Sequence, residues 1–239
     1  QMDPTEVAGW PRVSADGSRM EHVPPDWWVR LSTLGRGTLF IDELSSAPTT
    51  VRAALLRLVA SRAVGERRLP SAVRVVAAMN PPDSGEGATE LSPAMATRWC
   101  HVPWSVDTKA WTDGLESGVW ALPYLGKLDS DWRERHESTA RARLAAYLRR
   151  SVGSIQQMPA DELRRSGPWP CLRTWDWCAR PLAAADALGW KPGHAARSTV
   201  VAGLVGAEAA AQYLKWEKAL DLPDPEDVLR RPAKAEVPS

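Results

Sequence analysis

The chain has 239 residues, 44% of them apolar and 25% charged, with a formal net charge of +1. That is enough apolar material for one large or two modest domains, and the near-neutral balance gives no electrostatic footprint for nucleic acid. No apolar run reaches bilayer-spanning length and no charged-apolar-small leader opens the chain, so no membrane segment is expected and a soluble, cytoplasmic protein is.

Thirteen tryptophans stand against one phenylalanine. Trp27-Trp28 follows Pro24-Pro25-Asp26. Tryptophan is enriched at binding hot spots, so the pair can anchor a partner, but packing of this segment onto a core is the expectation. Next comes Gly37-Thr-Leu-Phe-Ile-Asp-Glu-Leu44, an apolar run ending in the adjacent acids Asp42 and Glu43. A buried strand that delivers two carboxylates to its C-terminal edge suits ATP hydrolysis beside Mg²⁺. One acid orders the metal or its water, and the other orients and deprotonates the attacking water. This is a Walker B pattern. The same residues also describe a strand running into a helix N-terminus, where free N–H groups and the helix dipole favour acids.

Ser45-Ser-Ala-Pro48 leads into Thr49 to Val59, with Val51, Leu55, Leu58 and Val59 at helical spacing and Pro48 suited to a first turn. A polar hairpin-like connection, Gly65-Glu-Arg-Arg68, precedes a second apolar strand, Val73 to Met79, which stops at Asn80-Pro81-Pro82. An amide at that strand tip can hold the lytic water or a γ-phosphate oxygen. Asn80 also reads as a turn residue pushed out of the helical region by the following proline. In Leu91-Ser-Pro-Ala-Met-Ala-Thr-Arg98-Trp99, Ser92 caps a short helix and Pro93 takes its first position. Arg98 at its end suits a finger reaching a neighbouring subunit's nucleotide, because its charge is permanent and its donor fork rigid. An ordinary cation complementing a helix C-terminus is the other reading.

After about residue 105 the chain reads as helical. Segments are expected over 130–151, 160–165 and 172–188, the last stopped by Gly189. Residues 195–220 read as two helices broken near Gly203 or Gly206. Arg141, Arg143, Arg149 and Arg150 read as a solvated face. Leu222 to Leu229 can hold one turn, and the polar end is expected to fray. Cys100, Cys171 and Cys178 contain no C-x-x-C pair and are expected as reduced, buried thiols. The four histidines show no metal spacing.

The order strand-Asp42-Glu43, helix, strand-Asn80-Pro81, Ser-Pro-Ala…Arg98-Trp99 resembles the AAA+ ATPases, and within them the MoxR-like group. Asp3-Pro-Thr-Glu-Val-Ala-Gly9-Trp-Pro11 is similar to the segment after that family's second core strand, which leads into an insertion ahead of Walker B. Trp169-Pro-Cys-Leu-Arg173-Thr-Trp175 resembles its sensor 2 turn. The resemblance implies ATP and Mg²⁺ as cofactors. Asp42 would hold Mg²⁺ through water, Glu43 would activate water, and Asn80 as sensor 1 would position water and the γ-phosphate. Arg98 would act in trans, and Arg173 would couple a lid to nucleotide state. It further implies self-association into a ring, expected as a hexamer. That ring would remodel or activate a client or a protein with a von Willebrand factor A domain, with no nucleic acid and no membrane involved.

No G-x-x-x-x-G-K-[ST] occurs in the chain, and its first residue is Gln1. The expectation is therefore an α/β protein with a partial AAA+ (P-loop NTPase-like) parallel-sheet core lacking its first strand and P-loop, followed by an all-α lid. The core is expected over 1–105, with the insertion at about 9–30, Walker B at 37–44, sensor 1 at 73–81 and the arginine-finger segment at 91–99. A linker at 106–129, the lid with sensor 2 at 130–231 and a disordered tail at 232–239 complete it. The alternative is a non-catalytic AAA+-derived interaction module or ring subunit. A nucleophile-based α/β hydrolytic enzyme is disfavoured, since no G-x-S-x-G is present.

Overall fold

Parallel pairing between two strands far apart in sequence organises the first part of the chain, as seen in a computed structural model that describes residues 3–81, 89–120 and 126–220. Pro82, the turn expected at 222–229 and the tail at 232–239 lie outside the described residues. The chain divides after Arg98 into two compact units, Gln1–Arg98 and Trp99–Ser239.

In the first unit, α1 (Pro4–Ala8) is capped by Asp3, whose carboxylate accepts the Thr5 amide at 2.9 Å. β1 (Trp10–Val13) and β2 (Met20–Val23) form an antiparallel hairpin. Its loop is organised by Asp16, which accepts from Ser14 Oγ at 2.5 Å, Ser18 N at 3.1 Å and Ser18 Oγ at 2.8 Å. These bonds, the Ser14 hydroxyl first, stabilise the charged carboxylate and lower its pKa to about 2. Gly9 is required where α1 turns into β1: its φ is +81°, and a Cβ there would lie 2.5 Å from the Val23 carbonyl oxygen. α2 (Asp26–Leu34) follows. Trp27 and Trp28 are half-buried, and Trp27 Nε1 donates to the Glu6 carbonyl at 2.8 Å, so this tryptophan ties α2 back to α1.

β3 (Arg36–Ile41) pairs in parallel with β6 (Ala72–Ala77), in a register running from Arg36 opposite Ala72 to Ile41 opposite Ala77. A parallel pair needs a long crossover. Here it consists of α3 (Thr49–Ser61) and the small ladder of β4 (Ala63–Val64) with β5 (Arg67–Arg68). α3 buries the stripe Val51, Leu55 and Leu58, the i, i+4, i+7 pattern of a helix covering a core. Pro48 sits one position before the expected first turn, as the N-cap. Arg62 ends α3 and donates Nη2 to the carbonyls of Val73 at 2.7 Å and Pro70 at 3.3 Å, fastening the crossover to the start of β6. α4 (Pro93–Ala96) starts as expected, with Ser92 Oγ accepting the Met95 amide at 3.3 Å. The first unit is thus mixed α/β with a small parallel sheet.

Helices build the second unit: α5 (Thr108–Ser117), α6 (Trp132–Arg150), α7 (Glu162–Arg165), α8 (Leu172–Ala187), α9 (Ala195–Val205) and α10 (Ala207–Lys218). α5 lies inside the 106–129 stretch expected as a linker. Gly206, at φ +84°, makes the break between α9 and α10, and a Cβ there would meet the Pro168 carbonyl oxygen at 2.9 Å. The core joins Leu144, Tyr147, Trp175, Leu182, Val201, Leu204 and Tyr213 from α6, α8, α9 and α10. Tyr147 lies edge-on to Tyr213, with ring centroids 5.3 Å apart.

Two expectations are corrected here. Arg143 does not belong to a solvated face. It pairs with Asp186, and its Nε lies 3.2 Å from Glu217 Oε1. Arg197 completes the cluster, with Nη2 2.5 Å from Glu217 Oε1 and Nη1 2.7 Å from Asp186 Oδ1, while Tyr213 donates its hydroxyl to Glu217 Oε1 at 2.9 Å. Two cations and two carboxylates from four helices therefore compensate one another in the interior, where an unpaired charge would be costly. The cysteines are all free, but only Cys178 is buried, Cys171 is half-buried and Cys100 is exposed. Burial pushes the Cys178 thiol well above its ordinary pKa.

Candidate functional site

Because β3 and β6 run in parallel, both carboxyl ends open on one edge of the sheet, where open α/β sheets hold ligands. The ladder continues one step past the strands: Ala78 donates its amide to the Ile41 carbonyl at 2.8 Å. The two chains then part. β3 turns sharply through Asp42 and Glu43 and returns so that the Leu44 amide meets the Ala78 carbonyl at 3.0 Å. Leu44 and Ser45 are buried immediately afterwards.

That return forces Glu43 into the left-handed region, at φ 53° and ψ 42°. A side chain there crowds the backbone, a strain of about 1–2 kcal/mol that marks functional positions more often than ordinary ones. The turn is held by its own polar groups. The Glu43 amide donates to Asp42 Oδ1 at 3.0 Å, the Ser46 amide donates to the Glu43 carbonyl at 3.0 Å, and Ser46 Oγ donates to Glu43 Oε2 at 3.3 Å. The Ser45 carbonyl accepts from Thr89 N at 3.1 Å and Thr89 Oγ1 at 2.7 Å, pinning the turn to the segment that enters α4. Ser46 escaped the sequence reading; the available signal was a hydroxyl three residues after an acid.

Asp42 and Glu43 are exposed at this edge, and so is Asn80, two residues beyond Ala78. The structure therefore brings these three to one edge. Arg98 belongs to the same unit, just past the C-terminus of α4, and is half-buried, with Nη1 donating to the Ala94 carbonyl at 2.6 Å. Arg173 belongs to the second unit, in the first turn of α8, and is also half-buried. Thr174 beside it accepts the Cys171 amide at 2.9 Å and donates to the Trp169 carbonyl at 3.1 Å, bracing the entry to that helix.

Chemically, the edge offers two exposed carboxylates and an amide. Mg²⁺ keeps several waters and takes one or two carboxylates together with phosphate oxygens, so this donor set fits shared coordination. It does not make an all-protein cage: among the described residues no three His, Cys, Asp or Glu converge on a metal position. Nor is any helix of the described residues long and apolar enough to cross a membrane.

No protein-family model matches the chain, and no curated protein matches it. Among solved structures, a "putative ATPase" from Cytophaga hutchinsonii ATCC 33406 is similar to it at a TM-score of 0.41 and 12% identity, over 100% of this chain and 76% of that one. A superposition this loose assigns neither fold family nor activity.

Proposed function

We propose that this chain carries the water-activating part of an ATPase of the AAA+ type, MoxR-like in the order of its motifs. The observation that supports the reading is the parallel β3–β6 pairing, which places Asp42, Glu43 and Asn80 at one strand edge. In this reading Asp42 takes Mg²⁺ through water, and Glu43 accepts the proton of the attacking water. Its left-handed backbone and the Ser46 hydroxyl orient the carboxylate. Asn80 positions that water and a terminal phosphate oxygen. Mg²⁺ supplies charge neutralisation at the phosphates when bound. Arg98 contributes from a neighbouring subunit of a ring, expected to be a hexamer, and Arg173 links the helical unit to the nucleotide. The work done is remodelling of a client, of which a von Willebrand factor A domain protein is the kind proposed.

The test uses the chain joined to a strand, P-loop and helix segment. Glu43→Gln keeps shape but cannot take a proton, so nucleotide binding persists while turnover falls at least about a hundredfold. Near-normal hydrolysis by this variant would reduce Glu43 to a turn residue.

A second reading is favoured by one observation, the absence of a G-x-x-x-x-G-K-[ST] sequence from these residues. Without that loop, nothing described supplies the run of backbone N–H groups that cradles a β-phosphate. The chain alone would then serve as a non-catalytic ring subunit or interaction module. Calorimetric titration with Mg-ATP tests the dependence on the loop: little or no binding is expected of the chain alone, and micromolar affinity would overturn it.

A further inference from the structure

The acid turn is gripped from outside the sheet by one residue, and that grip reaches the Glu43 carboxylate in two steps. Thr89 donates both its amide, at 3.1 Å, and its hydroxyl, at 2.7 Å, to the Ser45 carbonyl. That carbonyl and the Ser46 amide are opposite ends of one planar peptide unit, so fixing one fixes the other. The Ser46 amide donates to the Glu43 carbonyl at 3.0 Å, and the Ser46 hydroxyl donates to Glu43 Oε2 at 3.3 Å. Ser45 is fully buried, and its own hydroxyl has no hydrogen-bond partner among the described residues. Its carbonyl is the polar handle by which Thr89 holds the turn.

The strap that supplies Thr89 is itself anchored. Arg52, near the start of α3, donates Nη1 to the Glu90 carbonyl at 2.8 Å, and the Leu91 side chain next along is buried. This tied strap bears on a turn that has reason to open. The Leu44–Ala78 bond puts Glu43 in the left-handed region, and opening that bond would release the strain. Strained residues persist only where their surroundings over-determine them, and Thr89 supplies that restraint.

We propose that Thr89 is a positioning residue for Glu43: it keeps the acid turn closed and the carboxylate aimed, acting through Ser45 and Ser46 rather than on the nucleotide. Aiming the carboxylate matters only under the reading of Glu43 as proton acceptor, on which the catalytic half of the proposal rests; holding the turn does not depend on it. Thr89 is exposed, so removing its hydroxyl disturbs no core.

Holding of the turn is tested in the full chain by urea denaturation, with no nucleotide. Glu43→Gly is expected to raise the midpoint in the wild-type background and to leave it unmoved in Thr89→Val, where the turn has already relaxed. An equal Glu43→Gly shift in both backgrounds, zero included, overturns the proposal. Thr89→Ala serves the same cycle if the valine variant fails to fold.

Aiming of the carboxylate is tested in the form joined to a strand, P-loop and helix segment. Thr89→Val is expected to cut kcat about ten- to a hundredfold with KM for ATP unchanged, the scale of a misplaced reacting group, and Thr89→Ser is expected to restore it. In a Glu43→Gln chain Thr89→Val is expected to cost nothing more, because a residue acting through Glu43 has nothing left to position. An unchanged kcat, a further loss in the Glu43→Gln chain, or a serine variant as slow as the valine overturns the proposal. Near-normal turnover of Glu43→Gln defeats the reading of Glu43 instead, and the urea cycle still decides whether Thr89 holds the turn.

Discussion

Leu44 donates its amide to the Ala78 carbonyl at 3.0 Å, and this bond determines the shape of the acid-bearing edge. It closes the turn after β3 against the strand that carries Asn80. The two residues between Ile41 and Leu44 must reverse the chain, and Glu43 takes the left-handed conformation as a result. A residue poorly suited to that backbone is thus found where a carboxylate is displayed.

Replacing Glu43 with glycine is expected to raise stability. Glycine adopts positive φ freely, so Glu43→Gly is expected to increase the unfolding free energy by about 0.5–1 kcal/mol, less than the full strain because glycine also loosens the unfolded chain. Urea denaturation of the full chain measures it. A lower midpoint with an unchanged slope would show that the turn stores no strain.

Arg98 distinguishes a ring enzyme from a monomeric one. In the P-loop-joined form, Arg98→Ala is expected to leave ATP affinity nearly intact and to cut hydrolysis by about 10³–10⁵, the scale of an arginine finger. Mixing Arg98→Ala with Glu43→Gln chains is expected to recover some activity, since one supplies the acid and the other the arginine. Turnover of Arg98→Ala equal to the unmutated form, with assembly confirmed by light scattering, removes the finger role.

Removing one cation from the buried cluster is expected to be severe. Arg197→Met leaves Glu217 and Asp186 to share Arg143 alone, two carboxylates on one cation, and breaking a buried ion pair costs about 3–5 kcal/mol. The loss is expected in the thermal unfolding of the helical unit, followed by near-ultraviolet circular dichroism of its Trp175 and Tyr213 environment. A change as small as that of an exposed arginine, such as Arg133→Met, would mean that the cluster is solvated in solution.

Asp16 gives a pH dependence whose sign follows from its hydrogen bonds. Its folded pKa is lowered to about 2 by Ser14 and Ser18. The unfolded value is about 3.9. Its contribution to stability is therefore complete above the unfolded value and is lost as pH falls through the folded one. Carboxyl NMR titration is expected to find the Asp16 midpoint near 2, and Ser14→Ala is expected to move it upward. A midpoint unaffected by that substitution contradicts the hydroxyl as the leading cause.

Local patterns in the chain determined much of its architecture without help from packing. The spacing of Val51, Leu55 and Leu58 specified α3, Ser92 and Pro93 specified the start of α4, and a glycine break was legible between the last two helices, though packing decided for Gly206 over Gly203, which lies inside α9. Each is a short-range matter of periodicity, capping or backbone freedom. The order of acid pair, asparagine and arginine was equally legible. Tertiary structure decided what these residues share. Only parallel pairing of β3 with β6 brings Asp42, Glu43 and Asn80 to one edge, because strand adjacency is a non-local contact that neither strand encodes alone. Only the return of Leu44 to Ala78 puts Glu43 in the left-handed region. Arg143 looked like one more exposed cation on a charged helix. Its partners Asp186 and Glu217 come from α8 and α10, and no pattern within α6 announces charges that arrive from other helices.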